Sequence, residues 1–325
     1  MKAVQINKYG NGENLEYTDI PIPVPKKREV LVKIHCTTVN DYEWCIMRGK
    51  PILYRLIYGL LKPKIRLGME LSGTVVSLGP EASDFEVGDE VLGDISQYGS
   101  GSYAEFISID ERALRKKPAE VSFEDAACLP HAGLLAYQAI QIHGEFTDGQ
   151  TVLVNGAGGG FGSFAVQLLK PHKIKITGVD SKAKLVMMRQ LGFDAVFDYK
   201  EKDFTRIANN YDLILDPKTN RYPWRYLRSL KSGGKYITVG GSLFKILVGL
   251  ILNPLYRLIT RKRYHLLFLN PNKGLDQILD LYASGKIRPV IHGPFKLEEA
   301  TDAIHCFGKG EHKGKIVITV KIDDL

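Results

Sequence analysis

Apolar positions along the chain follow two rhythms, and the change falls near residue 122. Before it the runs are short and several alternate, over residues 2–6, 30–35, 71–78, 90–92 and 103–109, with Gly79-Pro80 and Val87-Gly88-Asp89 between them. Alternation at period two sets one side of a strand against a core, and Gly, Pro and Asp break such runs at turns. The pattern predicts a β-rich, partly barrelled domain. Beyond residue 122, β-branched runs alternate with helically spaced stretches. Strands are predicted at 151–155, 174–179, 195–198, 213–216 and 235–239, with helices at 182–191 and 224–230. Strand alternating with helix predicts a doubly wound parallel sheet. Helices at 274–287 and 298–307 and a final strand complete the pattern.

The strand at 151–155 runs into Gly156-Ala157-Gly158-Gly159-Gly160-Phe161-Gly162, and the helical spacing of Ala165, Leu168 and Leu169 follows at once. A dinucleotide pyrophosphate needs this order. Glycines let the backbone approach the phosphates, and the N–H groups at the helix start meet the negative charge. The next strand ends in Asp180, 24 positions after Gly156, close to the ~20 expected for a ribose-binding acid. A purely structural strand–turn–helix is the alternative.

Composition narrows the field. At 325 residues the chain has room for two cores, and 44% hydrophobic with 25% charged residues is ordinary for a globular protein. A net charge of +8 would suit nucleic acid or anionic lipid, but no arginine-rich arm or aromatic–basic RNA motif occurs, so nucleic acid is not expected. Cys36, Cys45, Cys128 and Cys306 form no C-x-x-C pair. That excludes a four-cysteine zinc site and favours reduced thiols in a cytoplasmic compartment. The first residues read as a strand, without a secretory apolar region, and no run reaches the ~20 apolar residues of a membrane span.

The turn Ala157-x-Gly159-Gly160-Phe161-Gly162 resembles that of the zinc-independent quinone oxidoreductases in the medium-chain dehydrogenase/reductase superfamily. So do Glu29-Val-Leu-Val-Lys33, Gly68-Met-Glu70, Gly88-Asp-Glu-Val91, Gly101-Ser-Tyr-Ala-Glu105, the helix Ser122 to Pro130, and the closing stretch Gly310 to Val320. The resemblance spans essentially the whole chain. It implies a GroES-like catalytic domain over 1–122 and 268–325, and a Rossmann dinucleotide-binding domain over 123–267. It also implies NADPH as cofactor, with NADH the alternative, a small apolar quinone or enone as substrate, and a homodimer. The zinc-dependent branch has ligands where this chain has Asn40, Met69 and, near the third position, Ala132. None is a zinc ligand, so no zinc is expected. Substrates that accept hydride at an electrophilic carbon then fit better than alcohols, which need a metal to steady the alkoxide.

By the same resemblance Asn40 lines the nicotinamide site, with Tyr54 and His131 as candidate catalytic groups and Tyr42 as a further donor. Packing alone is an equal reading for each. The implied cofactor contacts are Asn40, the turn from Gly156 to Gly162, Asp180, Ser181, Lys184, Tyr199, Asp216, Gly240, Gly241 and Lys313. Asp180 favours NADH, whereas Ser181, Lys184 and Tyr199 favour a 2′-phosphate. A charge pair at ~5 Å with an effective dielectric near 20 is worth about 3 kcal/mol, so inward-pointing lysines would select NADPH. The chain departs from the family at Asp216-Pro-Lys-Thr-Asn220, where D-x-x-G is usual; proline fixes φ and removes a donor.

Two segments stand apart. Residues 48–63 are amphipathic and aromatic, read either as a lid over an apolar substrate or as a helix packed on its own domain. Residues 242–268 are apolar over 246–252, interrupted at Asn253-Pro254 and basic at Arg261-Lys262-Arg263. Three readings stay open: a pocket cap and dimer interface, a core element, or a peripheral contact with an anionic membrane. Two further functions compete with a reductase: an NADPH-binding redox sensor without turnover, and a membrane-associated protein on a reductase fold.

Overall fold

The computed structural model describes residues 1–321. Packing divides them into two units. One takes residues 1–131, 271–283 and 291 onward, and the other takes 132–270 and 284–290.

In the first unit β1 (Lys2–Ile6) pairs with β2 (Leu15–Asp19). A larger sheet is built on β3 (Glu29–Val39), whose Val30, Val32 and Ile34 alternate into the core as the sequence rhythm predicts. After β3 the chain forms α1 (Asp41–Arg48) and α2 (Leu53–Tyr58). It then returns as β4 (Glu70–Leu78), β5 (Glu90–Asp94), β6 (Phe106–Asp110) and β7 (Arg115–Lys116). The strands β4 and β6 both pair antiparallel with β3. Next comes α3 (Phe123–Cys128), started by the Ser122 hydroxyl, which accepts from the Asp125 N–H at 3.1 Å. Its small residues Ala127 and Cys128 lie against Cys36 and Val317. Residues 123–131 therefore pack with the first unit, although the change of rhythm sets the boundary at 122.

The second unit opens with α4 (Leu134–His143). It continues as β8 (Thr151–Asn155), α5 (Gly160–Leu169), β9 (Lys175–Asp180), α6 (Leu185–Leu191), β10 (Ala195–Asp198), β11 (Tyr211–Asp216), α7 (Pro223–Ser229), β12 (Leu230–Thr238), α8 (Leu243–Thr260) and β13 (Arg263–Leu266). The strand order is β10-β9-β8-β11-β12-β13, parallel throughout. This is the doubly wound α/β fold. Its direction of winding reverses between β8 and β11, and open sheets of this kind bind ligands at that point.

Several elements differ from the sequence reading. The strand β12 starts at Leu230, earlier than expected, and β13 adds an unanticipated sixth strand. The expected interruption at Asn253-Pro254 does not occur: α8 runs straight through it for 18 residues. The proline removes one donor, but the neighbouring sheet holds the helix. The Asn253 side chain accepts from the Tyr264 N–H at 3.0 Å, and Gly249 lies on the Tyr264 ring, where a Cβ would come within 2.3 Å. The core reading of this segment fails, because Ile246 and Gly249 are the only buried residues of α8.

The chain then re-enters the first unit through α9 (Leu275–Ala283), which ends sooner than the expected 287. The segment 284–290 stays with the second unit, where the Gln167 side chain binds the backbone of Arg288 at both N–H and C=O. β14 (Ile291–Lys296), α10 (Ala300–Lys309) and β15 (Lys315–Thr319) complete the first unit. β15 lies between β14 and β3 in the large sheet.

Gly162 sets how closely α5 approaches the turn that follows β8. A Cβ there would sit 2.4 Å from the Ala157 Cα and carbonyl oxygen. Gly162→Ala is expected to lose about 1–3 kcal/mol in denaturant unfolding. Unchanged stability would contradict this close approach.

Candidate functional site

In the second unit the glycine turn leaves the C-terminal end of β8, beside the reversal point. Gly156 has φ 77, a left-handed value suited to glycine, and the N–H groups of Gly156 and Ala157 donate to the Val179 carbonyl at 2.8 and 3.0 Å. The first N–H groups of α5 lack intrahelical acceptors, as at any helix start, and carry the positive end of the helix dipole. A side chain at Gly158 would meet Lys184, whose Cδ lies 2.6 Å from the position of a Cβ. Glycine at 158 is thus required by the packed Lys184 side chain, and the first N–H groups of α5 are of the kind that holds a pyrophosphate, so the donor set suits a dinucleotide.

Asp180 ends β9. Its carboxylate accepts from the Gly158 N–H at 2.9 Å and the Ser181 N–H at 2.8 Å, and the Lys184 ammonium stands 3.4 Å away. Lys184 is buried, so its charge is directed inward and set against Asp180. The parallel register puts Asp198 opposite Asp180, which brings half-exposed Tyr199 alongside Ser181.

Asp216 ends β11 and is wholly buried. It accepts from the Asn155 amide at 2.9 Å, from the N–H groups of Lys218 and Thr219 at 2.7 and 3.0 Å, and from the Tyr236 hydroxyl at 2.8 Å. The carboxylate therefore ties β8, β11 and β12 together from inside. The Pro217-containing loop is held by it and by the Thr219 hydroxyl, which donates to the Gly240 carbonyl at 2.6 Å. Gly241, with φ 104, lies so close to Lys218 that a Cβ would come within 2.0 Å of its carbonyl oxygen.

The first unit holds a second cluster, centred on Glu70 at the start of β4. One carboxylate oxygen accepts from the Thr38 hydroxyl, the Asn40 amide and the Lys315 ammonium; the other accepts from the His131 backbone N–H at 2.8 Å. Lys315 also donates to the Asn40 carbonyl oxygen at 2.6 Å, which fixes the orientation of that amide. Glu43, one turn into α1, accepts from the N–H groups of Asn40 and Met69 at 2.9 and 3.1 Å. Burial pushes its carboxyl up to about 7.

The His131 imidazole meets Asp94 through Nδ1 at 2.9 Å. Burial by itself would lower the imidazole pKa, but Asp94, with Glu70 behind it, leaves it raised above the usual value. Burial by itself would raise Asp94, yet the contacts from His131 and Ser96 hold it below the usual range. Tyr54 stacks on Tyr58 at 6.3 Å and meets Tyr42 edge-on at 5.8 Å. Burial pushes its hydroxyl up to about 12, so it remains an O–H donor near neutral pH. No residue of α2 is buried, and Ile52, Leu56, Ile57 and Leu61 are exposed.

The structure thus gathers Asn40 and His131 around Glu70. It gathers the glycine turn, Asp180, Ser181, Lys184 and Tyr199 at the C-terminal ends of β8 to β10. Lys313 is exposed; the lysine beside Asn40 is Lys315, which sequence reasoning passed over. Lys315 opens β15, whereas Lys313 precedes Gly314 and the strand. Asp94 and Thr38 also went unread, because nothing local marks a residue whose partner lies dozens of positions away; Glu43 went unread although its spacing from Asn40 is that of a capping box.

Two family descriptions match the chain: an alcohol dehydrogenase GroES-like domain over residues 26–119 and a zinc-binding dehydrogenase over residues 191–318. The chain is 31% identical to a mitochondrial NAD(P)H oxidoreductase of Dictyostelium discoideum, over 99% of this chain and 100% of that protein. It is also 31% identical to a chloroplast envelope quinone oxidoreductase homolog of Arabidopsis thaliana, over 98% of each. The solved quinone oxidoreductase of Coxiella burnetii has a TM-score of 0.87 with 28% identity, over 99% of both chains.

The His131–Asp94 pair sets a pH signature. Because the folded imidazole pKa lies above its unfolded value, the stability it contributes is complete below pH ~6.5 and is lost as pH rises through the raised value. In Asp94→Asn only burial and weaker charges remain, and the imidazole is expected to titrate below ~6.5. NMR titration of the His131 ring protons reads this directly. Titration at the same pH in both proteins would refute the pairing.

Proposed function

The chain belongs to the medium-chain dehydrogenase/reductase superfamily, in its quinone oxidoreductase-like branch, and we propose that it is a zinc-independent, NADPH-preferring reductase of quinones and α,β-unsaturated carbonyls. It is an NAD(P)H-dependent oxidoreductase, as its full-length relatives are. The single observation that carries the finer reading is the Asn40–Lys315–Glu70 cluster. A zinc ion does not fit there: neither Asn40 nor Met69 supplies a zinc ligand, and the amide oxygen of Asn40 already accepts from a buried ammonium whose charge would oppose a divalent cation.

The bound dihydronicotinamide supplies a hydride to an electrophilic carbon. In this reading the glycine turn and the start of α5 hold its pyrophosphate. Lys184 offsets the charge of Asp180, and the Asp180 carboxylate is occupied by the Gly158 and Ser181 N–H groups. Both contacts reduce its repulsion of a 2′-phosphate and favour NADPH, with Ser181 and Tyr199 as phosphate contacts. Asn40, locked by Lys315 and Glu70, presents a fixed amide edge to the nicotinamide. Negative charge that develops on the substrate oxygen calls for preorganised donors. His131 binds Asp94 through Nδ1, so Nε2 is the atom that can hold a proton for that oxygen; Tyr54 offers a neutral O–H.

Absorbance decay of NADPH and NADH, each with a small quinone and a medium-chain enone, tests the reading. NADPH is expected to be consumed faster. Lys184→Met should raise the KM for NADPH about tenfold and change that for NADH little. Faster consumption of NADH would return specificity to Asp180, and cofactor binding without oxidation by either acceptor would favour the redox-sensor reading. Dialysis against a zinc chelator should leave turnover unchanged, whereas a loss restored by added zinc would refute zinc independence.

A further inference from the structure

α8 presents an apolar face with nothing of its own unit upon it. Phe244, Leu247, Ile251, Leu255 and Leu258 recur at spacings of three and four and form one stripe on its outer side. Ile251 is 76% exposed and Leu258 83%. The opposite face is spent on the sheet, through Ile246, Gly249 and Asn253.

Charge decides what covers this stripe. Between Asp216 and Asp276 the chain has twelve lysines and arginines and no acid. The net charge of the whole protein is +8, so everything outside that span is net negative. Arg257 lies on the last turn of α8, Arg261 and Arg263 stand past its C-terminal end, and all three are exposed. A second copy meeting this face about a two-fold axis would set the same cations against one another. An anionic surface matches both properties at once.

By length and composition α8 could cross a bilayer. Its connections forbid that: it leaves β12 and feeds β13, which pair in parallel along one sheet. Both ends are held on the same side, so the helix lies flat.

We propose that α8 is a docking surface for an anionic lipid bilayer, its apolar stripe entering the head-group boundary and Arg257, Arg261 and Arg263 meeting lipid phosphates or carboxylates.

Flotation of the full-length protein with phosphatidylserine–phosphatidylcholine vesicles tests this. The protein is expected to float with these vesicles, to do so much less with phosphatidylcholine alone, and to be released in about 1 M salt, where the Debye length is ~3 Å. An Ile251→Ser/Leu258→Ser variant should bind at least about tenfold more weakly, and Arg257→Gln/Arg261→Gln/Arg263→Gln about a hundredfold. These side chains are exposed, so both variants should keep the parental unfolding temperature, which separates lost docking from lost folding. Failure of the parent to float with phosphatidylserine vesicles overturns the proposal. So does flotation that both folded variants retain. Light scattering that shows a parental dimer made monomeric by Ile251→Ser/Leu258→Ser, without flotation of either protein, would assign the stripe to a second copy instead.

Discussion

A carboxylate with no route to water must be neutralised where it stands, and Glu70 is such a group. Its partners come from β3 (Thr38), the start of α1 (Asn40), the segment after α3 (His131) and the first residue of β15 (Lys315), the last lying 245 positions along the chain. Breaking a buried pair of this kind typically costs about 3–5 kcal/mol, because one charge is left uncompensated. The return of the chain to complete the first unit is therefore an electrostatic requirement as well as a matter of sheet pairing. The same contacts hold the Asn40 amide in one orientation, so the support of the fold and the preparation of the site are one arrangement.

Asp216 plays the corresponding part in the second unit. Buried at the reversal of the sheet, it satisfies Asn155 on β8, Tyr236 on β12 and two N–H groups of its own loop. Pro217 removes one backbone donor there, yet the next two N–H groups, of Lys218 and Thr219, both bond to the carboxylate. Tyr236 in turn stacks on Tyr226 at 4.4 Å and packs against Tyr264 at 4.9 Å. That aromatic column joins the reversal point to the sheet edge on which α8 rests, and Gly249 is the residue that lets α8 settle onto Tyr264.

Sequence alone was enough for the two fold classes, the glycine turn and most strands of the parallel sheet, because period-two and period-3.6 spacing and glycine's freedom from side-chain clashes are local properties. By resemblance it also set Asn40 and Met69 where the zinc-dependent branch has ligands. Tertiary structure decided the rest. Lys315 stands beside Asn40 because β15, of which it is the first residue, pairs with β3 directly before Asn40, whereas exposed Lys313 lies ahead of the strand. Asp216 turns into the core, where its partners come from β8, β12 and its own loop. Asp180 and Lys184 neutralise each other, a pairing fixed by the 3₁₀ turn between them. α8 continues through Asn253-Pro254 and keeps its apolar face outward, because the sheet supplies contacts for one side of a helix only. Composition counts apolar residues; which of them meet a core and which meet solvent depends on what the chain folds against them.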